Sequence, residues 1–523
     1  MGNSHKLGEF PQNGELPQIE GLPQKASAKR RAPQKASAKQ RALAKPAASS
    51  ERVLFAERFM PMTRYFGTDG IRGVANEELT CAVAFALGIA TVELLGSPLV
   101  VGRDTRRSGA MLESALVAGI TAAGGDALLA GIIPTPAVAF LTKTLQAAGG
   151  VVVSASHNAP KYNGLKVFDG SGFKSSPDLE SRIEQRLCAL LEDTTLMRKA
   201  MLTGNAIGMA STLDNAAERY IEHAISTVAD RISDLSGVTI AADCGHGASS
   251  YTTPQAFLRL GAKVVAINTD FTGDDINVEC GSTHLDSLIQ LVRRVGADVG
   301  IAHDGDADRV IMVDSTGAVI DGDFMALICA LDLEKRAALP HNTVVTTRMC
   351  NLGFIRAVES CGINVIQTAV GDSNVLAAMR EGGYMLGGEQ SGHMIFLGHN
   401  TTGDGLITAL QVLAIMKTQS KSLHELAQVM RKYPQALINV RVADTIGREE
   451  LSLLDIDSEF GKDIAQTERT LQENGGGRVL VRVSGTEPLI RVMVEAATET
   501  FAQEQAAVLA EIIRRRYGLA GTR

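Results

Sequence analysis

Four short motifs carry residue types that could do chemistry. Ser154–Asn158 places a hydroxyl beside an imidazole directly after an apolar stretch, Gly149–Val153. Such a hydroxyl can act as a nucleophile with a proton-transfer group next to it. The other three motifs are Asp304–Arg309, Gly388–His393 and Arg482–Pro488. Together the four motifs predict a nucleophile, a site for a hard metal ion, a loop that binds sugar hydroxyls and a site that binds an anion. These are the groups needed to move a phosphoryl group on a sugar phosphate.

The second motif is typical of a site for a hard divalent cation. Asp304, Asp306 and Asp308 alternate along a short loop that contains glycine. Carboxylates this close repel one another by about 1 kcal/mol or more per pair even in a high dielectric, and a cation relieves that repulsion. Ligation by oxygen alone selects Mg²⁺ or a similar ion. A solvated acidic turn is the alternative interpretation, although Arg309 indicates an anion within reach.

The hydroxyl and basic motifs also have ordinary interpretations. A serine next to a histidine is usually coincidence, but Asn163–Lys166 follows and predicts a further turn and a cation. A Ser-His-Asp hydrolase is disfavoured because no G-x-S-x-G elbow surrounds Ser156. Glu389 and Ser391 offer a carboxylate and a hydroxyl suited to vicinal sugar hydroxyls. The basic turn is either a polar hairpin or a phosphate site built from backbone amides, hydroxyls and arginines; its residues are Arg482, Ser484, Gly485, Thr486 and Arg491.

The elements that must position these motifs form a weak threefold repeat. Strands alternate with helix-like segments, which predicts βαβ units and mostly parallel sheets. The third strand of each copy runs into a motif loop, and ligands in open α/β sheets bind beyond the carboxyl ends of strands. The predicted fold is α/β, with three similar mixed-sheet βαβ domains plus a C-terminal α+β domain around one central cleft. The predicted strands are 99–102, 125–129 and 151–153; 238–242, 262–266 and 297–302; 344–346, 363–366 and 384–386.

The predicted domain boundaries separate an unusual N-terminal segment from the rest. Residues 1–62 carry 11 Lys and Arg against 5 Asp and Glu, and 23–29 recurs as 33–39. Such a segment cannot bury enough apolar surface to offset its ordering entropy. We expect a disordered basic extension, either an upstream reading-frame extension or a targeting peptide. The predicted domains are 63–212 with the serine loop, 213–318 with the metal loop, 319–432 with the sugar loop and 433–523 with the phosphate loop.

Composition excludes several classes of protein. Residues 63–523 carry 40 Lys and Arg against 53 Asp and Glu, so nucleic acid is not expected as a partner. No apolar run reaches the roughly 18–20 residues of a membrane span. Seven cysteines without a C-x-x-C pair fit a reducing compartment, and we expect a cytoplasmic protein.

Over about residues 63–523 the chain resembles the α-D-phosphohexomutase superfamily, and within it the bacterial glucosamine branch. The match to the superfamily is long and in order. It is carried by Tyr65–Gly73, Ser154–Asn158, Asp304–Arg309 and Ser484–Pro488, and the match to the branch by Cys280–His284, Gly388–His393 and Thr401–Gly405.

The resemblance implies an isomerase that interconverts glucosamine 6-phosphate and glucosamine 1-phosphate through a phosphoserine and a 1,6-bisphosphate, for UDP-N-acetylglucosamine and cell-wall synthesis. The phosphoserine would be Ser156, and its phosphate would hold Mg²⁺ together with Asp304, Asp306 and Asp308. A homodimer is the expected assembly. The implied proton-transfer or charge-stabilising groups are His157, Lys166, Arg72 and His393, and the implied substrate contacts are Arg309, Glu389, Ser391, His393, Arg482, Ser484, Gly485, Thr486 and Arg491.

The chain departs from the family pattern at three places, and other functions stay open. Ala159 replaces a usual proline, Ala369 a usual basic residue, and Ser373–Asn374 a usual Arg-Tyr pair. A phosphoglucomutase/phosphomannomutase would share the chemistry and differ in the sugar, and a metal-dependent phosphatase would release inorganic phosphate. A regulatory binding partner without activity is the alternative from another class; the intact Ser156 and three aspartates argue against it.

Overall fold

The computed structural model describes residues 65–67, 69–442, 459–483 and 489–517. These residues form four sheets of seven, five, four and three strands. Three of the sheets mix parallel and antiparallel pairs and the fourth is antiparallel. The predicted class, three mixed-sheet α/β domains followed by an α+β domain, is therefore confirmed, while the domain boundaries stay a prediction.

The first domain contains the seven-stranded sheet, in the order β1-β2-β6-β5-β3-β4-β7. Helix α4 begins at Pro177, which suits the first helical position, and the Ser176 hydroxyl caps it by accepting from the Leu179 N–H. The elements are β1 (Phe66–Gly67), β2 (Gly70–Val74), α1 (Cys81–Leu95), β3 (Leu99–Arg103), α2 (Gly109–Ala122), β4 (Ala127–Ile132), α3 (Thr135–Thr144), β5 (Gly149–Val153), β6 (Tyr162–Asp169), α4 (Pro177–Glu192), α5 (Thr194–Ala200) and β7 (Ala210–Thr212).

The second domain contains the five-stranded sheet, in the order β12-β11-β10-β8-β9. Its core strand β10 is buried along its whole length, as expected for a strand covered on both faces. The elements are α6 (Ala216–Ser226), β8 (Thr239–Asp243), α7 (Ser249–Arg259), β9 (Lys263–Ile267), α8 (Asp286–Val295), β10 (Val299–His303), β11 (Val310–Asp314) and β12 (Val319–Ile320).

The third domain contains the four-stranded sheet, in the order β14-β13-β15-β16. The Asp321 carboxylate caps its first helix by accepting from two backbone N–H groups. The elements are α9 (Gly322–Lys335), β13 (Thr343–Thr347), α10 (Leu352–Ser360), β14 (Asn364–Thr368), α11 (Asp372–Gly382), β15 (Leu386–Gly388), β16 (Met394–Phe396), α12 (Gly405–Gln419) and α13 (Leu423–Ala427).

The C-terminal domain contains an antiparallel sheet in the order β17-β19-β18 and has a hydrophobic core of its own. Its last helix packs against β17 and β19. The described elements are β17 (Gln435–Arg441), α14 (Glu459–Glu473), β18 (Gly477–Val483), β19 (Leu489–Ala496) and α15 (Glu499–Tyr517).

The first three domains repeat one topology. In each, a central strand pairs in parallel with the two strands that follow it in sequence, and the third of these strands pairs antiparallel with the next. The resulting strand orders are β4-β3-β5-β6, β9-β8-β10-β11 and β14-β13-β15-β16. The predicted threefold repeat is therefore confirmed, with an added antiparallel strand in each copy.

Two local predictions were wrong. Asn163–Lys166 is not a turn but part of β6, whose interior is buried and pairs with both β2 and β5. Pairing on both sides outweighs the turn preference of Asn-Gly. The strand predicted at 384–386 begins at Leu386, because the Tyr384 N–H still donates to Met379 O at the end of α11.

The largest hydrophobic core is continuous across the first three domains. Helix α12 is central to it, since its residues from Gly405 to Met416 are buried on every side. No helix among the residues that the structure describes has the length and apolarity to cross a bilayer. The shared core fixes the relative position of the strand ends that carry the motif loops.

Candidate active site

The three motif loops occupy the same place in three copies of one topology. Each loop connects the third strand of the repeated unit to its antiparallel neighbour: 154–161 joins β5 to β6, 304–309 joins β10 to β11, and 389–393 joins β15 to β16. Side chains of all three loops meet. Ser156 and Lys166 contact the aspartates of the second domain, and His393 of the third domain faces Asp308.

Ser156 is buried and oriented toward the aspartate cluster. Its hydroxyl donates to Asp304 Oδ2 at 2.6 Å, and its Oγ lies 3.3 Å from His157 Nδ1. Its backbone is left-handed, with φ of 51°, which few non-glycine residues adopt without support. Such strain persists where the surroundings over-determine it, as at active sites.

Arg106 supplies most of that support. Its side chain is fully buried, pairs with Asp104 at 2.9 Å and donates to four carbonyl oxygens of the serine loop. A planar guanidinium presents five donors in a fixed geometry, so one side chain can satisfy a whole curved loop. The four acceptors are the carbonyl oxygens of Ser156, Asn158, Ala159 and Tyr162, at 2.7–3.0 Å.

The second domain holds the same loop from the other side. Asn277 Nδ2 donates to Ser156 O at 2.9 Å and to Asn158 O at 3.3 Å. The metal motif also approaches closely, because a Cβ on Gly305 would lie 2.7 Å from Ser156 O. Glycine at that position therefore permits the serine loop and the aspartate loop to touch.

Replacing Arg106 with methionine is expected to lower the free energy of unfolding by about 3–5 kcal/mol, because Asp104 loses its partner inside the protein. Thermal unfolding followed by circular dichroism measures the loss. Arg107→Met is the matched control, since the adjacent Arg107 pairs with Asp274 at the exposed surface and should change little. Equal melting temperatures for the two variants would show that Arg106 does not hold the loop.

The three aspartates lie close enough to share one cation. They are buried, and one ligand oxygen from each lies within 4.8 Å of the others. Asp306 Oδ1 and Asp308 Oδ1 are buried and make no hydrogen bond. Unsatisfied carboxylate oxygens that face one another are costly in a protein interior, so the cluster fits a hard divalent cation.

The pKa values of the cluster show the same tension. Burial raises the pKa of Asp304 well above its usual range, and the charges of Asp308 and Asp306 add to the shift. Burial also acts to raise the pKa of Asp308, but Lys166, His393 and Arg309 hold it well below its usual range. Like charges that cannot all be ionised favour a cation between them.

Residues of the first domain orient Asp306. Its Oδ2 accepts from Thr135 Oγ1 at 2.7 Å and from Lys166 Nζ at 2.9 Å, which leaves Oδ1 toward the cluster. The Lys166 ammonium also lies 3.3 Å from Asp308 Oδ2. Burial acts to lower the pKa of Lys166, but the carboxylates around it raise it well above its usual range. Lys166 is therefore a fixed positive charge at neutral pH.

The loop of the third domain brings two of its three predicted residues inward. Glu389 Oε1 accepts from the Gly371 N–H at 3.2 Å, whereas Ser391 is exposed. His393 is buried between two carboxylates, with Nδ1 3.6 Å from Asp308 Oδ1 and Nε2 3.7 Å from Asp372 Oδ2. The domain thus contributes an imidazole and a carboxylate to the site.

The pKa values of the two histidines of the site shift in opposite directions. Burial, then the charges of Arg309 and Arg72, lower the pKa of His157 to about 4, so its imidazole is neutral at physiological pH. Burial acts to lower the pKa of His393 too, but the carboxylates around it raise it overall. The Gly403 N–H donates to His393 Nε2, which places the proton of the neutral form on Nδ1.

The remaining predicted residues are basic or lie in the C-terminal turn. The Arg309 N–H donates to Asp304 Oδ1 at 3.2 Å, and Arg72 pairs with Asp69 on the edge of the site. Arg482 and Arg491 are direct cross-strand partners on β18 and β19. Burial and then Arg491 lower the pKa of Arg482, as expected for two like charges held together. The predicted residues Ser484, Gly485 and Thr486 lie outside the described residues.

Several residues of the site were not predicted from the sequence. Arg106 and Asp69 stand in the glycine-containing polar stretches 102–106 and 65–73, so their local sequence offered only a weak signal for them. Asn277, Thr135, Lys174 and Asp372 carried no signal in their local sequence, because each acts through a contact with a distant part of the chain.

Comparison with known proteins identifies the family of the chain. Its four regions match the four parts of the phosphoglucomutase/phosphomannomutase family: alpha/beta/alpha domain I at 63–192, domain II at 218–317, domain III at 321–433 and the C-terminal domain at 437–512. A protein named phosphoglucosamine mutase from Thermoanaerobacter sp. (strain X514) is 48% identical over 460 residues, covering 87% of this chain and 100% of that protein. One from Geobacillus kaustophilus is 46% identical over 468 residues, covering 88% and 100%.

Solved structures share the fold at lower identity. A phosphoglucomutase/phosphomannomutase family protein from Burkholderia thailandensis has a TM-score of 0.70 at 24% identity, covering 87% of this chain and 98% of its own. The N-acetylphosphoglucosamine mutase of Aspergillus fumigatus, in complex with GlcNAc-6P and magnesium, has a TM-score of 0.61 at 19% identity, covering 86% and 95%. On these matches the chain belongs to the phosphoglucosamine mutase family of phosphohexomutases.

Proposed function

We propose that this protein interconverts glucosamine 6-phosphate and glucosamine 1-phosphate through a phosphoserine at Ser156 and a 1,6-bisphosphate intermediate. The observation that carries the proposal is the contact between the buried Ser156 hydroxyl and Asp304, inside a cluster of three aspartates. A phosphoryl group on this hydroxyl would lie beside the aspartates, and a metal ion held by them would compensate its negative charge. The relatives named phosphoglucosamine mutase support the choice of sugar.

The reaction requires two reversible phosphoryl transfers. The bond between Ser156 Oγ and phosphorus breaks while the free hydroxyl of the sugar bonds to phosphorus. The sugar hydroxyl gives its proton to a basic group of the site, and Ser156 Oγ takes up a proton as it leaves, so no net proton is released. The bisphosphate then reorients in the site, and its other phosphoryl group is transferred back to Ser156 by the reverse of the first step. We assign the exchange of the serine proton to His157, and its neutral imidazole 3.3 Å from Ser156 Oγ supports that role. Lys166 and Arg72 supply positive charge to the transferring group, and His393 completes the set of proton-transfer candidates.

We assign the ion as Mg²⁺, held by Asp304, Asp306, Asp308 and the phosphate on Ser156. All four ligands are hard oxygen donors, the kind that Mg²⁺ prefers. When bound, the ion would neutralise charge that builds on the transferring phosphoryl group. Thr135 and Lys166 keep Asp306 in the orientation that this ligation needs.

The two phosphates of the intermediate need a second anion site. Arg482 and Arg491 face each other across two strands, and an anion between them would relieve their repulsion. We assign the phosphate that is not reacting to these arginines with Ser484, Gly485 and Thr486. Glu389 and Ser391 are assigned to the sugar, with Arg309 beside them.

We place the enzyme in the cytoplasm, as a homodimer, with hexosamine phosphates as its partners. The scattered cysteines suit that reducing compartment.

Glucosamine phosphate is expected to be preferred over glucose and mannose phosphates in kcat/KM. A charge-assisted contact between Glu389 and the sugar ammonium contributes roughly 1.5–3 kcal/mol, or about tenfold to a hundredfold in selectivity. Parallel kinetics on the three sugar phosphates measure this, with release of inorganic phosphate followed in the same reactions. Glu389→Gln keeps the shape of the side chain and should lower the preference while changing glucose phosphate turnover less. Equal or better turnover of glucose or mannose phosphate contradicts the sugar assignment, and stoichiometric phosphate release contradicts a mutase.

A further inference from the structure

A closed ring of charged side chains crosses the first three domains beside the site. Lys166 joins Asp308 at 3.3 Å to Asp69 at 3.2 Å, and His393 faces Asp308 from the opposite direction at 3.6 Å. The ring is completed by Lys174, which contacts Asp69, and by Asp372, which faces His393 at 3.7 Å. Acidic and basic groups alternate around it.

Lys174 is the member that joins the first domain to the third. Its ammonium contacts Asp69 of the first domain and Asp372 Oδ2 of the third, the latter at 2.6 Å. The side chain is 10% exposed, and Asp69 and Asp372 are 20% and 16% exposed. An ion pair shielded to this degree is screened less than a surface pair.

Packing fixes the position of Lys174 against the third domain. It follows a tight turn after β6, and Phe173 beside it packs against a hydrophobic cluster of the third domain. The Arg380 guanidinium stacks over the Phe173 ring, 4.2 Å from its centroid. Thr401 donates its hydroxyl to Gly172 O in the same turn. The Lys174 ammonium therefore contacts Asp372 from a segment that is packed against the third domain.

Both carboxylates that Lys174 holds act on groups of the site. Asp69 also contacts Lys166 and Arg72, and Asp372 faces His393. Without Lys174 the two carboxylates would repel each other, since both now share one ammonium. Asp69 would then attract the Lys166 ammonium more strongly. Asp372 lies at the start of α11, and this end of the helix would move away from the first domain.

We propose that Lys174 is a positioning residue, which holds Lys166 and His393 in place around Asp308 through Asp69 and Asp372. This inference rests on the proposed mutase function. Lys174 itself has its ammonium occupied by two carboxylates, so its contribution is to the placement of other groups. A misplacement of about 1 Å at a reacting centre can cost roughly a hundredfold in rate.

Steady-state kinetics of Lys174→Met and Lys174→Arg test the proposal. Methionine keeps the length and removes the charge, whereas arginine keeps the charge. We expect kcat of Lys174→Met to fall about tenfold to a hundredfold, with KM within about threefold of the wild type and Lys174→Arg close to the wild type. Lys143→Met, at an exposed position of α3, is the matched control and should change nothing.

A single-turnover measurement separates placement from binding. Phosphorylated enzyme, in excess and at a saturating concentration, is mixed with glucosamine 1-phosphate, and formation of glucosamine 6-phosphate in this first turnover is followed by rapid quenching. The rate should fall in Lys174→Met by the same factor as kcat. If Lys174→Met does not fold, Asp372→Asn breaks the same link from the third domain and should lower kcat about tenfold.

Three outcomes would overturn the proposal: a kcat of Lys174→Met or of folded Asp372→Asn within about threefold of the wild type, a loss that lies entirely in KM, or an arginine variant as defective as the methionine variant. The wild type is assayed in parallel on glucosamine, glucose and mannose phosphates. A wild type inactive on all three contradicts the proposed function, whereas an active wild type with an equally active Lys174→Met contradicts only the role of Lys174.

Discussion

Replacing Ser156 with alanine is expected to lower mutase activity by about 1,000-fold or more, a rise of about 4 kcal/mol in the barrier. The variant has no oxygen to carry the phosphoryl group between the two transfers. The fold should be retained, because the loop is held through the Ser156 carbonyl by Arg106 and Asn277, not through the hydroxyl. Melting temperature should therefore change little.

Two measurements check this result. A coupled assay for glucosamine 6-phosphate gives the activity, and intact mass with and without phosphatase shows whether the wild type carries phosphate that the variant lacks. Ser171→Ala, an exposed serine in the same domain, is the matched control. Near-normal turnover of Ser156→Ala, with no phosphate on Ser156 in the wild type, would remove the serine from the mechanism.

Replacing Asp306 with asparagine is expected to lower kcat by about a hundredfold or more and to weaken Mg²⁺ binding, because one of three clustered charges is lost. Charge stabilisation by a bound metal is worth several kcal/mol in the transition state. The substitution keeps the oxygen that accepts from Thr135 and Lys166, so the loop should hold its shape. Loss of the charge also reduces the repulsion among the aspartates in the absence of metal.

The effect on stability distinguishes a metal ligand from a general loss of activity. An ion that binds only the native state raises the melting temperature. Because the variant should bind Mg²⁺ more weakly, Mg²⁺ should stabilise the wild type more than the variant. Melting curves with Mg²⁺ and with EDTA, together with calorimetric titration of Mg²⁺, measure this. Asp270→Asn is the matched control, since its carboxylate is 95% exposed in the same domain. Full activity of the wild type in EDTA would refute the metal role.

The positions of Ser156 and the three aspartates follow from local sequence. Ser156 follows the buried strand β5 of the first sheet and Asp304 the buried strand β10 of the second, and ligands in open α/β sheets bind beyond the carboxyl ends of strands. The repeat of strand and helix then places equivalent loops in three domains. Hydrophobic periodicity is a local property, so strands, helices and the α/β class could be predicted from the sequence.

Turn chemistry was a weaker guide than pairing. Asn163-Gly164 has the composition of a turn, yet it lies inside β6 because β2 and β5 flank it on both sides. A local preference worth about 1 kcal/mol yields to the ladder hydrogen bonds and burial of a central strand. As a result Lys166 enters the site from a rigid strand and not from a loop.

The sequence by itself determined the fold class, the family, and the positions of Ser156 and the three aspartates just after buried strands. Only the tertiary structure decided which residues contact these groups: Arg106, Asn277, Thr135 and the ring of charged side chains that includes Lys174. Thr135 is 171 residues from Asp306, and Lys174 is 198 residues from Asp372. Polar contacts over such separations follow no periodicity, since they depend on how whole domains dock, and docking is set by the shared hydrophobic core and not by the residues next to the contact.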